Sequence, residues 1–228
     1  MRHDSTQWIS ISDVMSGLML IFLLISVGYM IEIEEEKDKI KSIATAYENS
    51  QKALNEALNN EFQKDLKIWN AEILDNNTIR FKDPNMLFQT GRSNLKNDFE
   101  KILEDFFPRY IFILTDSKFR DEIEEVRIEG HTSTNWNGAK NKNERYIKNA
   151  KLSQDRAFAV LDYCIELPKI YSEVDWLIKR FRANGVSFAK PILQNGVENE
   201  ELSRRVEFRV ITNTEEKIYD ILEAFSGK

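Results

Sequence analysis

The chain has 228 residues, of which 31% are charged, and its formal net charge is −6. This length predicts one or two domains, and the acidic balance argues against nucleic acid as a direct partner. The single cysteine, Cys164, excludes an internal disulfide. Its place among apolar residues of a predicted helix indicates a buried structural thiol rather than a reactive one. His3 and His131 are too far apart to form a metal-ligand pattern.

An uncharged, mostly apolar run extends from Val14 to Ile31. At about 1.5 Å per helical residue it covers most of a hydrocarbon layer of about 30 Å, and residues 8–13 complete the span. The run is longer than a signal-peptide core, and no small-residue cleavage site follows it. We therefore expect a short tail over residues 1–7 and a retained transmembrane helix over residues 8–31. The Lys and Arg residues at its two ends do not decide its orientation.

Asp13 lies inside this predicted span. An ionised carboxylate there is costly unless it is protonated, solvated or paired. A carboxyl group that is neutral in lipid and ionised in a wet channel can carry protons down a gradient, which supplies about 2.3 kcal/mol per charge per 100 mV. Ser12 and Ser16 lie close enough to relay a proton, and Ser12, Ser16 and Gly17 are small enough for close helix packing. The alternative is that Asp13 ends the span at the lipid headgroups.

Residues 32–69 are predicted to form a polar helical linker. Ile33, Ile40, Tyr47 and Leu54 recur every seven residues, which is a weak heptad pattern. The pattern fits a solvated spacer, and it also fits a loose parallel dimer contact just outside the membrane. Because no Gly or Pro lies between residues 29 and 83, we expect this linker to be stiff.

Residues 70–228 alternate predicted strands and helices, which indicates an α+β two-layer sandwich. The turn signal at residues 75–77 predicts a hairpin between residues 73–74 and residues 78–81. Further strands are predicted at residues 123–130, 181–186 and 206–212. Helices are predicted at residues 95–107, where Pro108 ends the helix, and at residues 150–167, 172–179 and 215–225.

Four segments of this region together resemble the OmpA-like peptidoglycan-binding domain. They are IEGHTS (128–133), KLSQDRA (151–157), the pair at 191–192, and LSRRVEFRV (202–210). The sequence ISDVMSGLMLIFLLI (11–25) is similar to the membrane segment of MotB-type stator subunits. The architecture therefore resembles a MotB relative, and its motifs are similar to those of the MotB-like proteins of the Zorya anti-phage defence system. The resemblance implies one transmembrane helix, a helical linker and an OmpA-like sandwich.

The resemblance also implies which residues form the functional sites. Asp13 matches the ion-carrying aspartate of the stator family. The peptidoglycan-binding positions match Thr132, Ser133, Asn149, Leu152 and Arg156.

Two features of this matched site affect its ligand. The family usually has an aspartate at the position of Ser133, and that aspartate helps to hold the diaminopimelate of the peptide stem. A serine can hydrogen-bond an ammonium group but cannot neutralise it. Arg156 matches the family arginine, which can bind a carboxylate through two parallel hydrogen bonds. The alternative is that Arg156 pairs with a carboxylate of its own domain.

Residues 135–148 form a long insertion, and His131 is expected to be structural.

The function implied by the resemblance is that of a subunit of an ion-driven inner-membrane motor that is anchored to peptidoglycan, and the expected ion is the proton. Its N-terminus would be cytoplasmic and its C-terminal domain periplasmic. Because one helix cannot form a conduction path, a MotA-like or ZorA-like multi-helix subunit is expected, as a pentameric ring around a dimer of this chain.

Two other functions stay open at this point. One is a stator subunit for flagellar motility or outer-membrane energisation, and the other is a passive tether between membrane and wall without ion flow. The sequence contains no recognisable nucleophile–base pair, metal cluster or phosphate loop. We therefore expect neither an enzyme nor a cofactor or metal site.

Overall fold

The computed structural model describes residues 4–82, 84–89 and 91–213. They divide into two compact units: residues up to Glu48 belong to the first, and the second begins at Asn49. α1 (Asp4–Phe62) is one continuous helix of 59 residues that contributes to both units. The helix predicted over residues 215–225 lies outside the described residues.

The first unit contains the apolar part of α1. Among the described residues, α1 is the one helix that is long and apolar enough to cross a membrane. Its apolar side chains are not packed into a protein core: Met19 is 70% exposed and Leu24 is 67% exposed. Apolar side chains of a folded domain are normally buried, so this segment has the surface of a membrane helix rather than of a core helix.

The heptad positions of α1 do not share one environment. Ile33, Ile40 and Tyr47 are exposed, as a dimer contact between two copies requires. Leu54 is only 2% exposed, because it packs into the core of the second unit of its own chain. The predicted seam therefore ends before Leu54, and the contact between copies stays a prediction for the first three positions.

The second unit contains seven strands and five further α-helices among the described residues. The strands are β1 (Ala71–Ile73), β2 (Thr78–Phe81), β3 (Ile123–His131), β4 (Phe181–Ser187), β5 (Leu193–Gln194), β6 (Val197–Glu198) and β7 (Val206–Thr212). The helices are α2 (Pro84–Leu87), α3 (Asn97–Leu114), α4 (Lys142–Ile165), α5 (Val174–Arg180) and α6 (Glu200–Ser203), with a 3₁₀ helix at Pro168–Glu173 before α5.

Five of the strands form one mixed sheet in the order β1-β2-β7-β3-β4. The pairs β1–β2, β2–β7 and β7–β3 are antiparallel, whereas β3 and β4 are parallel. A parallel pair needs a long crossover connection, and α4, the 3₁₀ helix and α5 supply it here. β5 and β6 form a separate small hairpin. The predicted α+β sandwich is confirmed, and each of the five predicted strand regions overlaps a strand of the main sheet.

The core is rich in aromatic side chains from α3 and the sheet. The ring of Phe106 lies 5.0 Å from that of Phe208 and 5.1 Å from that of Tyr110. The prediction that α3 stops at Pro108 is wrong, since the helix continues to Leu114. A proline inside a helix costs about 3 kcal/mol. The turns that follow it bury Tyr110, Ile111 and Leu114 almost completely, and each such side chain contributes about 1.5–3 kcal/mol.

The last turns of α1 are part of this core. Leu54, Leu58 and Phe62 are each 2% exposed or less. The Phe62 ring lies 5.3 Å from Phe106 and 5.8 Å from Trp69. Residues that the sequence pattern places in the linker thus supply one side of the hydrophobic core.

α4 begins earlier than predicted, at Lys142 instead of residue 150. The Oδ1 atom of Asn141 accepts a hydrogen bond from the backbone N–H of Glu144 at 2.9 Å, and the Glu144 carboxylate accepts one from the N–H of Lys140 at 2.7 Å. These two bonds satisfy N–H groups at the helix start. At the other end of α4, Cys164 is fully buried, which confirms the prediction that its thiol is buried. Burial raises the pKa of its thiol.

Candidate functional site

Asp13, the residue predicted to carry ions, lies on α1 with the predicted relay or packing residues Ser12, Ser16 and Gly17. Asp13 is exposed, and the Ser16 hydroxyl, one turn later, donates a hydrogen bond to the carbonyl of Ser12 at 2.8 Å. A side chain added at Gly17 would meet no atom of the described chain within 4 Å. Nothing in the described chain therefore requires a glycine there, and a packing role for Gly17 would involve another subunit.

A pocket of 430 Å³ lies at the end of β3, and its volume falls in the range of small-molecule sites. All five residues that the resemblance assigns to peptidoglycan binding line it: Thr132, Ser133, Asn149, Leu152 and Arg156. The other lining residues are Gly91, Asn135, Trp136, Asn137, Glu200 and Arg204. The structure thus brings together residues that lie up to 24 positions apart in the predicted site (132 to 156). It adds residues from three further segments: the loop at Gly91, the loop at residues 135–137, and α6 with the residue that follows it.

The close approach of β3 and α4 positions the two halves of this pocket. A Cβ atom at Gly130 would lie 2.2 Å from the carbonyl oxygen of Ser153, so only glycine fits between the strand and the helix. Asn149, Leu152 and Arg156 follow each other at spacings of three and four, which places them on one face of α4. This face meets the chain just beyond the end of β3.

Arg156 is buried in the pocket wall, and no acidic partner for it is found in the described part of the chain. Arg156 as a whole residue is 6% exposed. Nε donates to the carbonyl of Arg92 at 3.0 Å, and the guanidinium carbon lies 4.9 Å from the Phe88 ring centroid. Within the described part of the chain, no carboxylate forms an ion pair with it. The alternative that Arg156 pairs with a carboxylate of its own domain therefore fails for these residues.

The electrostatics of the pocket favour an anion. Burial and, after it, the positive charge of Arg204 together lower the pKa of Arg156 to about 10. Nη1 of Arg204 lies 3.8 Å from Oε2 of Glu200, and both side chains are more than a third exposed. The pocket lining thus contains two guanidinium groups and one loosely paired carboxylate. A ligand carboxylate would provide the ion-pair partner that Arg156 lacks among the described residues.

His131 lies behind the pocket in a buried network of charges. Its Nε2 atom is 3.4 Å from Oε2 of Glu129 and 3.6 Å from Oε2 of Glu207. Oε1 of Glu207 accepts from Nε of Arg205 at 2.6 Å and from Nε of Arg80 at 2.7 Å. Burial opposes ionisation of Glu207, but the nearby His131 ring and the charge and hydrogen bond of Arg205 hold the pKa of Glu207 well below its usual value.

The three residues Glu129, His131 and Glu207 have the spacing of a metal site, with one ligand atom of each within 4.8 Å of the others. Their surroundings do not suit a metal cation. Besides the arginines on Glu207, three cations lie within 3.8 Å of the Glu129 carboxylate: Arg127, Lys190 and Arg209. These groups already neutralise the carboxylates, so we interpret the cluster as a structural network, in line with the expectation for His131.

Some pocket residues are not recognisable from the sequence motifs. Trp136 and its asparagine neighbours lie in the insertion, at positions that belong to none of the family motifs. Glu200 and Arg204 lie more than forty residues after Arg156 in sequence. Arg204 belongs to the terminal S-R-R motif, so its place in a motif is the one signal that could have indicated a role.

Comparison with known proteins gives two relatives that share one name. No protein-family model matches it. It is 47% identical over 224 residues to the Zorya protein ZorB of Escherichia coli strain Crooks, covering 97% of this chain and 94% of that protein. It is 26% identical over 218 residues to a Zorya protein ZorB of Escherichia coli O139:H28, covering 92% and 82% of the two chains.

A solved structure shares the fold. The crystal structure of a putative MotB like protein from Desulfovibrio vulgaris matches with a TM-score of 0.51 and 20% identity, covering 72% of this chain and 97% of that one. At this identity the match concerns the fold alone, and it agrees with the predicted architecture. The identity of 47% over nearly all of both sequences goes further: the chain belongs to the ZorB family.

Proposed function

We propose that this chain is the MotB-like subunit of a proton-driven inner-membrane motor that is anchored to peptidoglycan and acts in Zorya-type anti-phage defence. The observation that carries the proposal is Arg156, a buried guanidinium that has no acidic partner among the described residues. It lies in a pocket lined by every residue predicted to bind the cell wall. Membership of the ZorB family supports the defence setting.

The pocket explains how the wall would be held. Arg156 is fixed by its bond to the Arg92 carbonyl and by the Phe88 ring, so its remaining N–H groups are oriented before a ligand arrives. A carboxylate of the peptide stem would accept two hydrogen bonds from it. The hydroxyl group of Ser133 would bind an ammonium group of the same stem without neutralising it.

The membrane helix explains how the anchor would be coupled to ion flow. Asp13 lies in the apolar part of α1, where a change of its protonation state alters the charge presented to a neighbouring helix. A single helix offers no conduction path. The proposal therefore includes a MotA-like or ZorA-like ring, a pentamer, around a dimer of this chain. In this arrangement the N-terminus is cytoplasmic and the domain that begins near residue 49 is periplasmic, where the pocket can reach the wall.

The ion-carrying role is tested by Asp13→Asn in bacteria that carry the complete defence system. We expect protection against phage, measured as plaquing efficiency, to be lost while membrane insertion and co-purification with the ring subunit stay normal. Asp38→Asn is the matched control, since it makes the same chemical change in the polar part of α1. Full protection by Asp13→Asn would leave the passive tether as the better explanation.

The anchoring role is tested by co-sedimentation of the full-length chain in detergent with purified peptidoglycan sacculi. Removing one member of a buried charge pair costs about 2–5 kcal/mol, so Arg156→Ala should reduce binding at least about thirtyfold. Lys151→Ala removes a positive charge from the same helix but outside the pocket lining, and it should bind normally. Equal binding by Arg156→Ala and the parent chain would refute the carboxylate clamp.

A further inference from the structure

The inserted loop between β3 and α4 forms one wall of the pocket. Asn135, Trp136 and Asn137 all line the pocket, and they lie on a different segment of the chain from Arg156, which belongs to α4. The indole of Trp136 is half-buried, whereas both asparagines are exposed. The loop therefore presents one large aromatic surface and two neutral amide groups to whatever occupies the pocket.

This loop is held at both ends. At its start, the backbone N–H of Thr134 donates to Oε1 of Glu198 at 3.1 Å, and the Thr134 hydroxyl donates to the same carboxylate. At its end, Asn141 caps α4 through the N–H of Glu144. Gly138 has a φ of +79°, a conformation that glycine adopts without strain. Trp136 is thus placed by the fold, and less ordering is needed when a ligand binds.

The chemistry of this wall differs from that of the Arg156 side. The two guanidinium groups select a carboxylate, but the loop residues that line the pocket carry no charge. An indole ring offers a flat apolar face with a single N–H donor, and each amide offers both donors and an acceptor. This combination suits a neutral ring that has C–H bonds on its faces and hydroxyl or amide groups around its edge, which is the chemistry of an N-acetylated sugar.

A peptide fits this wall less well. Extended peptides are commonly bound by backbone N–H and C=O groups that have no partner of their own. The N–H of Thr134, at the pocket end of β3, is already bonded to Glu198. The wall therefore lacks that donor for strand-like pairing and retains the aromatic face and the amides.

We propose that Trp136, with Asn135 and Asn137, forms a subsite for an amino sugar of the glycan strand, next to the Arg156 subsite for a carboxylate of the peptide stem. This inference rests on the proposed peptidoglycan anchoring and extends it. The chain would then recognise the junction of glycan and peptide rather than the peptide alone.

The test compares two fluorescently labelled probes that share one stem peptide: the free peptide, and the same peptide attached to its N-acetylated disaccharide. Binding to the full-length chain in detergent is measured by fluorescence anisotropy. The parent chain should bind the disaccharide-peptide about tenfold more tightly than the peptide. Trp136→Ala should remove that difference without weakening the peptide, and Trp136→Phe should keep most of it.

Tyr171→Ala, which removes an exposed aromatic ring outside the pocket lining, is the matched control and should behave like the parent chain. Thermal unfolding of each variant checks that it is folded. Equal weakening of both probes by Trp136→Ala would mean that the indole contacts peptide, and it would overturn the sugar subsite. Unchanged binding of both probes would overturn it as well. If the parent chain bound neither probe nor sacculi, the proposed anchoring itself would fall together with this inference.

Discussion

Gly130 is where β3 and α4 come into backbone contact, and Gly130→Ala is expected to disturb both the stability of the domain and the pocket. The added Cβ atom would lie 2.2 Å from the Ser153 carbonyl oxygen, whereas ordinary contacts begin at 3.4 Å. The helix would have to move by the difference, about 1.2 Å. Because the obstructing atom belongs to the backbone, no side-chain rotation can relieve the overlap.

The expected cost is about 1–3 kcal/mol, which is typical of overpacking in a well-packed interior. For a chain of this size each kcal/mol lowers the melting temperature by about 2–4 °C, so Gly130→Ala should melt about 2–12 °C below the parent chain. Thermal unfolding of the full-length chain in detergent, followed by tryptophan fluorescence, measures this directly. Binding to sacculi at a temperature where the variant is folded should also weaken, because α4 carries Asn149, Leu152 and Arg156.

Gly28→Ala is the matched control for this substitution. A Cβ atom at Gly28 meets no atom of the described chain within 4 Å, so this variant should melt with the parent chain. A melting temperature for Gly130→Ala within about 1 °C of the parent, together with normal sacculus binding, would refute the view that this contact sets the geometry of the pocket.

Two further predictions concern the buried charges and the thiol. The pKa of Glu207 is lowered in the folded state, so its contribution to stability is present above the unfolded-state pKa of about 4.3 and is lost as the pH falls below it towards the folded-state pKa. We therefore expect the free energy of unfolding, measured in urea between about pH 3 and about pH 6, to fall towards acid pH. The fall should be smaller in Glu207→Gln than in the parent chain. The same dependence of the unfolding free energy on pH in both proteins would contradict this assignment. Cys164 is fully buried with a raised thiol pKa, so it should react with a maleimide far more slowly in the folded chain than in denaturant, and equal rates in the two states would show that the site is open.

Five of the residues that line the pocket come from sequence motifs that each continue along one element. Thr132 and Ser133 follow a strand of clear alternation, and Asn149, Leu152 and Arg156 lie on one helix face, so both halves are recognisable. Trp136 enters the pocket from a loop and Glu200 from the short helix α6. The positions of both depend on tertiary contacts, such as the bond between Thr134 and Glu198. Local sequence patterns contain no information on such contacts between distant segments.

The misjudged helix ends have physical causes of the same kind. Pro108 is a sound local stop signal, but burial of the three large residues after it outweighs the cost of a proline within α3. Leu54 satisfies a heptad pattern, yet the same spacing also describes the apolar stripe of a helix that packs on its own domain. Periodicity alone cannot distinguish these two partners, and the structure assigns Leu54 to the domain core.

The aromatic core also determines where the chain can be cut. Leu54, Leu58 and Phe62 are buried, and each contributes about 1.5–3 kcal/mol of burial, which amounts to roughly 4–9 kcal/mol together. This equals much of the whole stability of an ordinary domain, about 5–15 kcal/mol. A recombinant fragment that starts at residue 70, after the end of α1, would leave Trp69 out and Phe106 uncovered. Limited proteolysis should instead yield a lasting product whose new N-terminus lies ahead of Leu54.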